Sequence, residues 1–246
     1  MKPFLVLQLR PETEASDDEF EAILRKGQLS EQNAHRIRLD QDRLPRDLSL
    51  EDYSGVIVGG GPGCVSDRED DKSEIEARIE RAVLSLMPEV TTRDFPYLGC
   101  CYGIGILGHH LEGNVSKTRY GEAVGTTDCA LTDDGRNDPI CNGMPERFQA
   151  FVGHKEALQS LPNGCVHLIA SPTCPFQMIR FGKNVYATQF HPEADPDGFE
   201  TRIKIYKDRG YFPPEAASDL IETCRAADVF APELILKNFV TRYAQH

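Results

Sequence analysis

The chain has 246 residues, with 27 Lys and Arg against 39 Asp and Glu, a formal net charge of −12. A hydrophobic fraction of 40% and a charged fraction of 27% describe a globular protein that buries a core without staples, and exclude a disordered chain. The acidic balance and the lack of any Lys/Arg run argue against nucleic acid as a partner, and no apolar stretch approaches the roughly 18–20 residues that cross a bilayer, so no membrane partner is expected.

The apolar run Phe4–Leu9 behind Met1-Lys2 is too short for a signal peptide, is interrupted by Arg10 and precedes no small-residue cleavage site. It reads as a buried first strand of a cytoplasmic protein. Ser16-Asp17-Asp18-Glu19 reads as a helix start, with Ser16 as N-cap and Glu19 as its capping-box partner. Ile37 and Leu39 alternate with Arg36, Arg38 and Asp40, which predicts a second strand. Tyr53–Val58 is a third, ending in Gly59-Gly60-Gly61-Pro62-Gly63. The acidic run Asp67–Asp71 reads as a solvated helix start, and Ile75, Ile79, Ala82, Val83 and Leu86 mark one face of a long amphipathic helix. Phe95–Gly99 is a strand and Ile104–Leu111 a helix. From about Gly113 to Tyr186 short strands alternate with turns, among them Asp133-Asp134-Gly135 and Asn142-Gly143. Asp195-Pro196-Asp197-Gly198 separates the last strand from three helices near Asp197–Arg209, Pro214–Ala227 and Pro232–Tyr243. The stripe Leu234, Leu236, Phe239, Val240 and Tyr243 on the last is expected to pack on its own domain. Strands alternating with crossover helices predict an α/β fold, an open and mostly parallel sheet with helices on both faces. One domain is expected over 1–246, with a core over 1–200 and a helical C-terminal extension over 201–246. Ligands bind such sheets beyond the carboxyl ends of the strands, where both glycine-rich turns fall.

Three motifs carry chemistry. In Gly99-Cys100-Cys101-Tyr102-Gly103 an apolar strand runs into a helix through a sharp turn, the cysteine form of a nucleophile elbow. The spacing selects Cys101 over Cys100, which ends the strand and points into the core. The helix N-terminus favours a thiolate there, and the N–H of Tyr102 faces a developing oxyanion. In Gln189-Phe190-His191-Pro192-Glu193, extended residues two apart point the same way, so Glu193 orients the His191 ring and leaves its other nitrogen for proton exchange. The loop Gly59–Gly63 lets backbone N–H groups converge on an anion, although it lacks the Lys-Ser/Thr ending of a phosphate loop.

Together and in this order, the motifs resemble those of the class I glutamine amidotransferases: a Gly-Gly-Pro oxyanion loop, a Gly-x-Cys-x-Gly elbow and a Phe-His-Pro-Glu segment. The resemblance runs from about residue 1 to 200 and is nearest to stand-alone domains similar to the amidotransferase half of GMP synthase. It implies a flavodoxin-like sheet and a Cys101–His191–Glu193 triad. Cys101 attacks the side-chain amide of glutamine, with Gly60, Gly61 and Tyr102 at the oxyanion, to give a thioester, glutamate and ammonia. Two positions depart from the family. Gly105 stands where a glutamine usually contacts substrate, leaving more room and one hydrogen-bond partner fewer. Gly153 replaces the usual serine before the substrate-side His154. Both sit on the substrate side, and Gly105 favours a rival reading, a γ-glutamyl peptide or amine hydrolase with the same triad. A third reading is a non-catalytic subunit that binds a partner. The chain carries no synthetase domain, so the resemblance implies a synthetase subunit as ammonia acceptor or simple hydrolysis.

No cofactor or metal is called for. The eight cysteines are irregularly spaced without Cys-x-x-Cys, which disfavours a disulfide framework, a zinc site and a redox pair. His109 and His110 diverge on a helix and cannot share an ion. His35 and His167 read as packing or surface residues.

Overall fold

A computed structural model describes residues 2–208 and 212–244. In chain order the regular elements are β1 (Phe4–Gln8), α1 (Thr13–Gly27), β2 (Ala34–Arg38), β3 (Gly55–Val58), α2 (Glu74–Thr92), β4 (Tyr97–Cys100) and α3 (Tyr102–His110). There follow β5 (Val115–Ser116), β6 (Glu122–Leu131), α4 (Asp133–Asn137), β7 (Arg147–His154), β8 (Ala157–Leu158), β9 (Cys165–Ala170), β10 (Met178–Phe181) and β11 (Val185–Thr188). Three helices close the chain: α5 (Pro196–Tyr206), α6 (Ala217–Ala226) and α7 (Glu233–Tyr243).

Nine strands form one sheet in the order β2-β1-β3-β4-β11-β10-β9-β6-β7. Pairing is parallel from β2 to β11 and antiparallel from β11 to β7. β1, β3, β4 and β11 are buried at every residue, as strands covered on both faces must be. Phe4, Val6, Ile57 and Leu98 face Ile23 of α1 and Leu236, Phe239 and Val240 of α7. Leu5, Leu7, Val56 and Val58 face Ile79, Val83 and Met87 of α2 and Ile104 and Leu107 of α3. A smaller cluster joins Phe151 of β7 to Phe199 and Ile203 of α5 and Cys224 of α6, which holds α5 over the carboxyl ends of the strands. No helix among the described residues is long and apolar enough to cross a membrane.

Several element boundaries differ from the sequence reading. α1 begins at Thr13, so Ser16 and Glu19 are interior and buried rather than capping. Arg10 and the Gly59–Gly60 turn occupy the carboxylate that a capping box would use. α2 is capped by Ser73 with Glu76 as reciprocal partner, downstream of the acidic run, and Ile75 in its first turn is 43% exposed. Asp133-Asp134-Gly135 opens the short helix α4 under a Thr132 cap. Asp195 caps α5 by accepting from the Gly198 N–H at 2.9 Å, with Pro196 in the first turn, so Asp195–Gly198 starts a helix rather than separating one; Arg209, the expected helix end, lies outside the described residues. The stripe on α7 buries Leu236, Phe239 and Val240 on its own domain, with Leu234 and Tyr243 partly covered.

Candidate active site

β4 delivers the chain to Cys101, which adopts φ 52 and ψ −92 between strand and helix. A residue with a Cβ avoids that region unless its surroundings dictate it. Here the Cys101 N–H donates to Thr188 O at the end of β11 (2.8 Å), and Cys101 O accepts from the Ile104 N–H (3.2 Å). Tyr102, the first residue of α3, has no intrahelical acceptor for its N–H. Cys100 is fully buried in the core, as expected. Burial, however, pushes the Cys101 thiol up to about 12, with Arg10 and Arg202 opposing and Glu193 adding to the rise. Burial thus opposes the thiolate that the helix end favours.

His191 follows β11 by three residues and is pinned by its N–H to Phe151 O of β7 (3.0 Å). The segment beyond is not extended. A turn closed from the Ala194 N–H to His191 O (3.3 Å) folds Glu193 back, so that its Oε1 lies 2.8 Å from His191 Nδ1. Arg202 Nη1 of α5 stands 3.1 Å from the same oxygen. Burial pushes the Glu193 carboxyl up, but His191 and Arg202 outweigh it and hold the group well below the usual carboxylate range. An ionised carboxylate keeps the proton on Nδ1 and leaves Nε2 for exchange. Burial lowers His191, against the pull of Glu193.

Two cavities meet at Cys101, and Gly61 and Gly153 line both. One also has Tyr102, Gly105, His154, Glu156 and Gln189 in its wall; the other has Arg10, His191, Phe199, Arg202 and Tyr206. The expected oxyanion role of Gly60 is corrected: its N–H donates to Glu19 Oε1 at 3.1 Å. The expectation that Gly105 leaves extra room is corrected too. A Cβ there would meet Glu156 Oε1 at 2.9 Å, and that buried carboxylate accepts from the Val65 and Ser66 N–H groups (both 2.9 Å) and the Ser66 hydroxyl (2.7 Å). Only about 20 Å³ remains in this cavity, the room of one or two waters. Gly105→Gln is expected to cost about 1–3 kcal/mol of stability by overpacking. Adding Glu156→Ala should recover part of that loss. A denaturation double-mutant cycle with no coupling between the two sites would contradict the contact.

His154 reaches this cavity from β7, yet both its ring nitrogens are engaged: Nδ1 with Glu156 O (2.9 Å) and Nε2 with Glu122 Oε2 (2.8 Å). It shapes the turn that carries Glu156 instead of offering a free nitrogen to substrate. Glu122, His154 and Cys174 bring potential ligand atoms within 4.8 Å of one another. The Glu122 carboxylate, though, already accepts from His154, Gln177 and Thr173. His110 Nε2 bonds Thr91 Oγ1 at 2.9 Å and His109 is exposed on α3; His35 bonds the Tyr53 hydroxyl and His167 bonds Ile169 O. Arg10, Glu19, Glu156 and Arg202 were not expected at the site from the sequence. Arg10 directly behind an apolar strand was the one visible signal.

The family model for glutamine amidotransferase class-I matches residues 17–205. The chain is 29% identical over 171 residues to the GMP synthase [glutamine-hydrolyzing] of Thermosipho melanesiensis, covering 65% of this chain and 29% of that protein. To the corresponding protein of Lactobacillus gasseri it is 30% identical over 157 residues, 61% of this chain and 27% of that one. It therefore spans less than a third of the curated relatives it matches. A glutamine amidotransferase from Thermotoga maritima superposes with a TM-score of 0.77 at 20% identity, covering all of both chains. One from Methylobacillus flagellatus gives 0.72 at 18%, covering 100% of this chain and 97% of the other. With an open flavodoxin-like sheet and this family match over most of its length, the chain belongs to the class I glutamine amidotransferases.

Proposed function

We propose that the protein hydrolyses the side-chain amide of glutamine or a related γ-glutamyl amide through a thioester on Cys101. The observation that carries this reading is the His191 ring held by Glu193 at 2.8 Å in a cavity shared with Cys101. Neutral His191 takes the thiol proton as Sγ attacks the γ-carbonyl carbon, and returns it to the departing amine. The N–H groups of Tyr102 and Gly61 receive the oxyanion. Water activated by the same imidazole then releases glutamate. Seating the acyl chain requires the Glu156 turn and the Val65–Ser66 segment to part, since together they fill the space over Gly105. The matched relatives carry the name GMP synthase [glutamine-hydrolyzing], which supports a synthetase as ammonia acceptor.

The test is glutamate release from glutamine and a γ-glutamyl dipeptide, with mass analysis of acid-quenched protein for a γ-glutamyl adduct on the Cys101 peptide. Release accompanied by that adduct is expected. Absence of both, with either substrate, would leave a partner-binding subunit instead.

The pH profile has a definite sign. Because burial lowers His191, kcat/KM should fall as pH drops through a value below the ordinary 6.5 or so of histidine. With the thiol pushed up to about 12, the rate should stay level from neutral pH to about pH 9. An acid limb centred above 7 in a kcat/KM profile would contradict this assignment.

A further inference from the structure

The two cavities divide a γ-glutamyl amide between them. His191 must reach the departing nitrogen, and it lines only the cavity with Arg10 and Arg202. That cavity is therefore the leaving-group side, and the one over Gly105 takes the acyl chain. Ammonia needs no cation to receive it, yet two guanidiniums, each about 5% exposed, face this space. Arg10 spends Nε on Glu19 (3.0 Å) and Nη1 on the Tyr206 hydroxyl (3.4 Å); a Cβ on Gly60 would meet its Nη2 at 2.7 Å. Arg202 has the Glu193 charge at 3.1 Å, but its Nε, Nη1 and Nη2 make no well-aligned hydrogen bond among the described residues. Asp18, within electrostatic reach of Arg202, is itself pushed up by burial. The ion pair with Glu193 balances the charge but leaves guanidinium donors over, and the planar fork of such donors matches a carboxylate.

We propose that Arg202, with Arg10 beside it, forms a carboxylate subsite on the leaving-group side of Cys101, so that the preferred substrate is a γ-glutamyl amide of a small amino acid. This rests on the thioester reading above. The cavity holds about 40 Å³, roughly three waters at 10–15 Å³ each, which admits a carboxylate and a methylene. In the reaction Sγ bonds to the γ-carbonyl carbon and the C–N bond breaks. The thiol proton travels through His191 to the nitrogen, and the free amino acid departs. Water then cleaves the thioester, giving glutamate and restoring the thiol.

The experiment compares γ-glutamylglycine with γ-glutamylglycinamide, which differs only in lacking the carboxylate charge. Wild type is expected to favour the acid by on the order of 10- to 100-fold in kcat/KM, the worth of charge-assisted hydrogen bonds. In Arg202→Met that ratio should fall to about threefold or less. Taking the ratio within one protein cancels any loss common to both substrates through Glu193. Equal wild-type values, or a ratio unchanged in Arg202→Met, overturn the subsite while glutamate release still upholds the hydrolase. No release from either peptide or from glutamine overturns both. If Arg202→Met does not fold, inhibition of wild type by free glycine against glycinamide decides the matter, and equal inhibition overturns the subsite.

Discussion

Glu193→Gln is expected to lower kcat for glutamate release by about three to four orders of magnitude, and Cys101→Ala to leave only background. The two losses have different origins. Cys101→Ala removes the atom that bonds to the acyl group, so no adduct can accumulate. Glu193→Gln keeps the thiol and the fold but replaces an ionised acceptor, 2.8 Å from His191 Nδ1, with an amide that can turn its N–H₂ toward the ring. The imidazole proton then moves to Nε2, the nitrogen that must accept from the thiol. The same change strips Arg202 of the carboxylate 3.1 Å away and leaves an uncompensated cation beside a histidine that has to become cationic. Glu193→Gln should therefore still form the adduct, slowly, where Cys101→Ala forms none. Rates within tenfold of wild type for either variant would remove that residue from the catalytic machinery.

The legible parts of the molecule were those in which a few consecutive residues determine the outcome. β1, β3 and β4 are short and mostly apolar runs, and burial on both faces demands that composition. The elbow at Cys101 and the pairing of His191 with Glu193 lie within single motifs, so spacing sufficed to select the residues. The extended geometry inferred for Glu193 was wrong even so, because the turn closed by Ala194 is what returns the carboxylate. The antiparallel half was harder. β6 mixes exposed and buried residues and carries an irregularity between Glu122 and Gly125, which blurs its period. Least legible were contacts set by strand order. Glu156 reaches Val65 and Ser66 across about 90 residues, and nothing near Gly105 announces the side chain that fills its space.

Glu19→Ala is expected to lower stability by about 3–5 kcal/mol, the usual penalty for leaving one partner of a buried ion pair alone. Glu19 is completely buried and its Oε1 serves Arg10 Nε at 3.0 Å and the Gly60 N–H at 3.1 Å. The glycine loop is built around that carboxylate. A Cβ on Gly59 would come within 2.3 Å of Glu19 Oε2, and one on Gly60 within 2.7 Å of both Arg10 Nη2 and His191 Cε1. Close approach to an ion pair and to the His191 ring thus explains why two consecutive residues there lack side chains. Removing the carboxylate leaves the Arg10 charge buried beside Cys101 and frees the Gly60 N–H, so the loop loses the anchor that positions Gly61. Glu19→Gln keeps an oxygen for the Gly60 N–H and should cost less than Ala, while still weakening Arg10. The ordering wild type, Gln, Ala in denaturation midpoint at constant m-value is the expected signature. Equal midpoints for Glu19→Ala and wild type would mean that the loop holds its shape without the ion pair, and that its glycines answer to something other than Glu19.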